Sequence, residues 1–115
     1  MKKLALFAFQ GDSICFIHVL LNALDLKKKG HEVRIVLEGS ATKLVPEMAE
    51  PKSPLFHLYR QAKEQNLFDG ACKACSTKLN VVGAVEQEAL PLLDDMSGHP
   101  SVSRYVEQGY DIITF

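Results

Sequence analysis

Residues 4–37 read LALFAFQGDSICFIHVLLNALDLKKKGHEVRIVL, and their order decides the fold. Leu4 to Phe9 is an unbroken apolar run, the pattern of a parallel strand covered on both faces. Gly11-Asp12-Ser13 marks a turn, where Asp12 or Ser13 offers an oxygen to the free N–H groups of a helix start. The spacing predicts a helix over about Ile14 to Lys29 that closes at Gly30. Lys27, Lys28 and Lys29 then sit at the negative end of its dipole. Val33 to Leu37 is a second buried strand. Strand, helix and strand make one crossover unit, expected to be right-handed.

Working outward, the chain of 115 residues has room for one domain with one real core. It is 47% apolar and 23% charged, an ordinary globular balance that argues against intrinsic disorder. A net charge of −1 supplies no field for nucleic acid or an anionic membrane. Met1-Lys2-Lys3 before an apolar run imitates a signal peptide. However, that run is short and ends in Gln10-Gly11-Asp12 rather than a small-residue cleavage site. No stretch reaches the roughly 18 apolar residues that span a bilayer. The expectation is a soluble, cytoplasmic protein.

Beyond Glu38 the loosest stretch carries Pro46, Pro51 and Pro54, with a short helix expected around Thr42 to Ala49. Leu55, Leu58, Tyr59 and Ala62 recur at helical spacing and predict a helix over 55–65. Leu67 to Cys72 reads as a third strand, followed by a helix from Lys73 to Leu79. Glu88 to Leu93 reads as a short strand interrupted by Pro91. Pro100 suits the first turn of a helix that Gly109 stops, and Tyr110 to Phe115 makes a closing strand. The pattern predicts a single three-layer α/β/α domain over 1–115, with about five mostly parallel strands. The first helix leaves only His18, Asn22 and Asp25 as a polar stripe. So wide an apolar arc predicts self-association, unless a neighbouring helix covers it.

The chemistry concentrates in the three cysteines, Cys15, Cys72 and Cys75. A C-x-x-C pair in a reducing compartment is more often redox-active, sulfur-handling or metal-binding than a staple. Ligands of open parallel sheets bind at the carboxyl ends of strands. Three loops should meet there: Gln10 to Ser13, Glu38 to Thr42, and Cys72 to Ser76. Gln10, Gly11, Asp12 and Ser13 are candidates for a pocket wall. Cys72, at a strand–helix junction beside Lys73 and Lys78, is expected to have a lowered thiol pKa. His99, in Ser97-Gly98-His99-Pro100-Ser101, is the histidine whose loop best approaches the strand ends. Its plainer reading is a helix-entry turn residue.

The run Gly70-Ala71-Cys72-Lys73-Ala74-Cys75-Ser76-Thr77-Lys78-Leu79-Asn80-Val81 and the closing Gly109-Tyr110-Asp111-Ile112-Ile113-Thr114-Phe115 carry a resemblance. With strand order and length, they make the whole chain similar to the DsrE/DsrF-like group of sulfur-handling proteins, which includes the Tus proteins of tRNA thiolation. The resemblance implies a sulfurtransferase-type carrier in which a cysteine at that strand end accepts a persulfide and passes it on. By register that is Cys72. It also implies a homotrimer or homohexamer that exchanges sulfur with donor and acceptor proteins, with no cofactor. Cys75 lies outside the relay pattern, as a modulating or resolving thiol. Asn80 stands where relatives often have Gly, whose left-handed conformation Asn can adopt.

Two other readings compete. Cys15 and His18, three residues apart on the first helix, could join Cys72 and Cys75 around tetrahedral zinc. The plainest alternative is a non-catalytic homo-oligomer that binds a small ligand or partner. A thioredoxin-like C-x-x-C would follow the first strand, and no phosphate-binding glycine motif occurs.

Overall fold

Leu4, Leu6 and Ala8 alternate with Ala5 and Phe7 along the first strand, and all five are buried. Both faces of that strand therefore meet protein, as its apolar run predicts. In the computed structural model, which describes residues 1–115, this strand is β1 (Lys3–Ala8). It is followed by α1 (Ser13–Lys28), β2 (Glu32–Leu37), and a 3-10 turn (Gly39–Lys43) that runs into α2 (Leu44–Met48). Then come α3 (Phe56–Glu64), β3 (Phe68–Cys72), α4 (Lys73–Lys78), α5 (Val82–Gln87), β4 (Leu92–Leu93), α6 (Val102–Glu107) and β5 (Asp111–Thr114).

The five strands form one sheet in the order β4-β3-β2-β1-β5, with every neighbouring pair parallel. The first four step across the sheet in one direction, so right-handed crossovers leave their helices on one face. The chain then returns past β1 to place β5, which reverses the direction and sets α6 on the other face. Leu4, Leu6, Ala8, Val33, Ile35 and Leu37 pack on the first face with Phe16, Leu20 and Tyr59 of the helices. On the second face Ala5, Phe7 and Val36 meet Tyr105 and Tyr110. Phe7 and Tyr105 pack edge to face with centroids 5.3 Å apart. Burial of a side chain such as Phe7 contributes roughly 1.5–3 kcal/mol. The domain is thus a three-layer α/β/α sandwich, thin on the α6 side.

Asp12 caps α1, its carboxylate accepting the Ile14 N–H at 2.8 Å. Phe16, Val19, Leu20 and Ala23 turn inward, while Ile14 and Leu21 stay 76% and 46% exposed. Part of the wide apolar arc is therefore left uncovered by this chain. Three local expectations change. Residues 88–91 form no strand, and β4 is only Leu92–Leu93. Pro91 has no N–H for a ladder and contributes only its carbonyl, which accepts the Ala71 N–H at 2.9 Å. Val82–Gln87, unassigned in the sequence reading, is a helix closed by Ala89 at φ +60°. The helix expected over 42–49 divides into the 3-10 turn and α2. No helix is long and apolar enough to cross a membrane.

Candidate functional site

The register of β2 against β3 pairs Leu37 with Ala71, and both side chains pack into the core on the α1 face. The next residue on each strand must turn to the α6 face, because strand side chains alternate. Those residues are Glu38, still extended at φ −133° and ψ 167°, and Cys72. They stand side by side at the carboxyl edge of the sheet. Cys72 also ends β3 and caps α4, its Sγ accepting the N–H of Cys75 at 3.3 Å.

His99 reaches the same edge through a turn. Met96 and His99 exchange backbone hydrogen bonds of 2.7 and 2.9 Å. Between them Ser97 and Gly98 both have positive φ, +49° and +87°. That combination defines a type I′ turn. The Gly98 carbonyl accepts the N–H of Ala74 at 2.8 Å and so clamps the turn onto α4. His99 Nδ1 then lies 3.1 Å from Cys72 Sγ, and the Gly98 oxygen 3.8 Å from it. Sγ of Cys72, Sγ of Cys75 and a ring nitrogen of His99 lie within 4.8 Å of one another. Cys72 is 0% exposed, whereas Cys75 and His99 are half-buried at the rim. All three cysteines are free thiols.

The electrostatics reverse one expectation. Burial pushes the Cys72 thiol up, to about 12, instead of down. The Cys75 N–H opposes that shift, while the Cys75 thiol and the negative charge of Glu38 add to it. Lys73 does not counter it, because its ammonium points to Asp94 Oδ2 at 3.6 Å. Lys78 stands in the last turn of α4. Desolvation in turn raises the Glu38 carboxyl, with the charge of His99 pulling it back. Burial therefore favours the neutral form of the Cys72 thiol, whose sulfur lies within hydrogen-bond reach of His99 Nδ1.

Of the residues singled out by sequence, the structure assembles Cys72, Cys75 and His99. Lys73 lies alongside but faces solvent. The first loop is engaged elsewhere: the Gly11 N–H donates to Ser40 Oγ at 2.9 Å, Asp12 caps α1, and Ser13 begins that helix. Gln10 lines a small recess with Cys15 and Phe115. Cys15 and His18 do not join the cysteine–histidine group. Their helix follows β1, and β2 stands between β1 and β3, a displacement of about two strand spacings, ~10 Å. Elsewhere, His31 Nδ1 accepts the Lys2 N–H at 3.0 Å, and His57 packs on Phe56. Glu38 was missed as an individual residue, although its position just past a buried strand was the available signal.

No family model matches the chain. The uncharacterized protein MJ0733 of Methanocaldococcus jannaschii is 35% identical over 97 residues, which cover 84% of this chain and 77% of that one. An uncharacterized protein of Archaeoglobus fulgidus is 39% identical over 49 residues, 43% of this chain and 80% of its own. Among solved structures, BT1422 of Bacteroides thetaiotaomicron, a conserved protein of unknown function, superposes with a TM-score of 0.72. It covers 99% of this chain and 95% of its own at 16% identity, a likeness of fold alone. With 35% identity across most of both sequences, this chain belongs to the family of the Methanocaldococcus jannaschii protein MJ0733.

Proposed function

We infer that the protein is a small cytoplasmic persulfide-handling protein of the DsrE/DsrF kind, with Cys72 accepting and passing on sulfane sulfur. The observation that carries this reading is the Cys72–His99 pair, 3.1 Å from Sγ to Nδ1 at the carboxyl end of β3. A buried thiol with a raised pKa is a poor nucleophile alone. A ring nitrogen in hydrogen-bond reach answers that need by taking the proton as sulfur attacks.

The exchange balances without an oxidant. Cys72 Sγ attacks the terminal sulfur of a donor R–S–SH while its proton passes to His99 Nδ1. The donor's S–S bond breaks, and its thiolate leaves as R–SH with the proton from His99. Cys72–S–SH remains. An acceptor thiolate repeats the step in reverse on a partner protein. Cys75 allows a second outcome: its sulfur attacks Cys72 Sγ, a Cys72–Cys75 disulfide forms, and the terminal sulfur leaves as hydrogen sulfide. The proximity of the two thiols supports that branch. Exposed Ile14 and Leu21 on α1 support self-association, and the family resemblance points to a homotrimer or homohexamer.

Intact-mass measurement of reduced, metal-free protein after treatment with a persulfide donor tests the reading. We expect the mass of one added sulfur in wild type and none at this position in Cys72→Ser. His99→Ala should load on the order of a hundredfold more slowly, the scale of a lost general base. Loss of the added sulfur with sulfide release, dependent on both Cys72 and Cys75, identifies the reductive branch. Equal loading of wild type and Cys72→Ser overturns the assignment.

A further inference from the structure

We propose that Cys72, Cys75 and His99 form a three-ligand zinc site whose fourth position is open to an external ligand. Two sulfurs and one imidazole nitrogen are the donor set of a borderline-soft cation. Three protein ligands, rather than four, leave zinc a place for water or an incoming thiol.

The distances fit. Zinc holds sulfur at about 2.3 Å and imidazole nitrogen at about 2.0–2.1 Å, so tetrahedral ligand atoms stand about 3.6–3.8 Å apart. Here the donor atoms all lie within 4.8 Å of one another, and Cys72 Sγ to His99 Nδ1 is 3.1 Å. Each separation is within about an ångström of the ideal. Side-chain rotation about fixed backbones supplies that much. The backbones are fixed independently of any ion: Cys72 by β3, Cys75 by α4, and His99 by the turn that the Gly98 carbonyl clamps to Ala74.

The burial pattern says where the open position faces. Cys72 is 0% exposed, so its side of the cluster is closed by protein. Cys75 and His99 are half-buried at the rim, so the fourth position looks outward between them. Binding displaces the protons of both thiols to bulk solvent and leaves His99 neutral. The side chains are those of the proposed sulfur carrier, but the chemistry is separate. Zinc would engage the same Cys72 sulfur that attacks a donor, so metal and sulfane sulfur compete for it.

The test is a titration of reduced, chelator-treated protein with Co2+, followed by displacement with Zn2+, in the absence of any sulfur donor. One equivalent should produce thiolate-to-cobalt charge-transfer absorption and the intense visible bands of a four-coordinate ion, abolished by Zn2+. Cys75→Ser and His99→Ala should each weaken binding by at least about tenfold. Circular dichroism of the metal-free variants shows whether they fold. Cys15→Ser, outside the cluster, should bind as wild type. Absence of the charge-transfer band overturns the proposal, as does wild-type affinity in folded Cys75→Ser and His99→Ala. Sulfur loading measured separately under chelator keeps the two readings apart: loading without metal binding removes only zinc, and metal binding without loading removes only the carrier.

Discussion

Gly98 is pressed against Ala74: its carbonyl accepts the Ala74 N–H at 2.8 Å, and a Cβ at position 98 would lie 3.3 Å from the Ala74 methyl. This one contact docks the turn that delivers His99 to Cys72. It ties the chemistry of the site to a residue that carries none.

Gly98→Val should therefore act on the site at a distance. Its backbone sits at φ +87°, costly for a branched residue, and the side chain would push against Ala74. We expect a loss of about 1–3 kcal/mol in stability. Cobalt affinity and sulfur loading should fall together, although every sulfur and nitrogen remains. Urea unfolding and the cobalt titration measure the two effects. Binding at wild-type affinity would mean that His99 reaches Cys72 without the clamp.

Gly70 carries a different constraint, one of space. A Cβ there would stand 2.5 Å from the Pro91 carbonyl oxygen and 2.8 Å from Leu93 Cγ. Pro91 cannot retreat without breaking the Ala71 N–H bond that starts the β3–β4 ladder. Gly70→Ala should cost about 1–3 kcal/mol, the usual scale of overpacking, and should loosen β4. A urea midpoint equal to that of wild type would show that β4 adds little to the fold.

Much of the fold was legible because parallel strands buried on both faces read as apolar runs, as Leu4 to Phe9 and Val33 to Leu37 do. The left-handed residue expected at Asn80 is present, at φ +60°. Two elements escaped for physical reasons. β4 is two residues long beside a proline, too short to leave a period. α5 begins at Val82 with no side-chain cap at Val81, so it lacks a start signal. At the site, the spacing of Cys72 and Cys75 is local and was legible. The meeting of Cys72 with His99, 27 residues apart, depends on how a turn docks. The Cys72 shift has the opposite sign to the one that a helix start and two nearby lysines suggest. The strand end is in fact closed over, and burial outweighs them.

Glu88 joins α5 to α3. It accepts a hydrogen bond from the Tyr59 hydroxyl at 2.6 Å and one from the Lys63 ammonium at 3.1 Å. Burial pulls its carboxyl up, but these two donors favour the charged form, and the net shift is downward. A carboxylate with a lowered folded pKa contributes stability above its unfolded pKa and loses it as pH falls through the folded one. Wild type should therefore lose more stability on acidification than Glu88→Gln, whose amide does not titrate. Urea midpoints at neutral and acidic pH make the comparison. Parallel declines would mean that the Tyr59–Glu88–Lys63 cluster contributes nothing that depends on charge.

The reactivity of Cys72 tests the electrostatics directly, and trypsin makes it readable. Cleavage at Lys73 puts Cys72 and Cys75 on separate peptides, the second spanning residues 74–78. In reduced, metal-free protein at neutral pH, iodoacetamide should label exposed Cys15 first, half-buried Cys75 next and buried Cys72 last. Two causes act together on Cys72: its sulfur is covered, and burial holds its thiol at about 12. Without help from a base only the thiolate reacts, and its fraction grows about tenfold per pH unit below the pKa. The Cys72 labelling rate should thus keep climbing through mildly alkaline pH without a plateau. His99→Ala should lower the neutral-pH rate if the imidazole takes the proton during attack, and should leave the alkaline rate nearly unchanged. A Cys72 rate that is fast and level near neutral pH would mean a resting thiolate. The imidazole would then be its charge partner rather than its base.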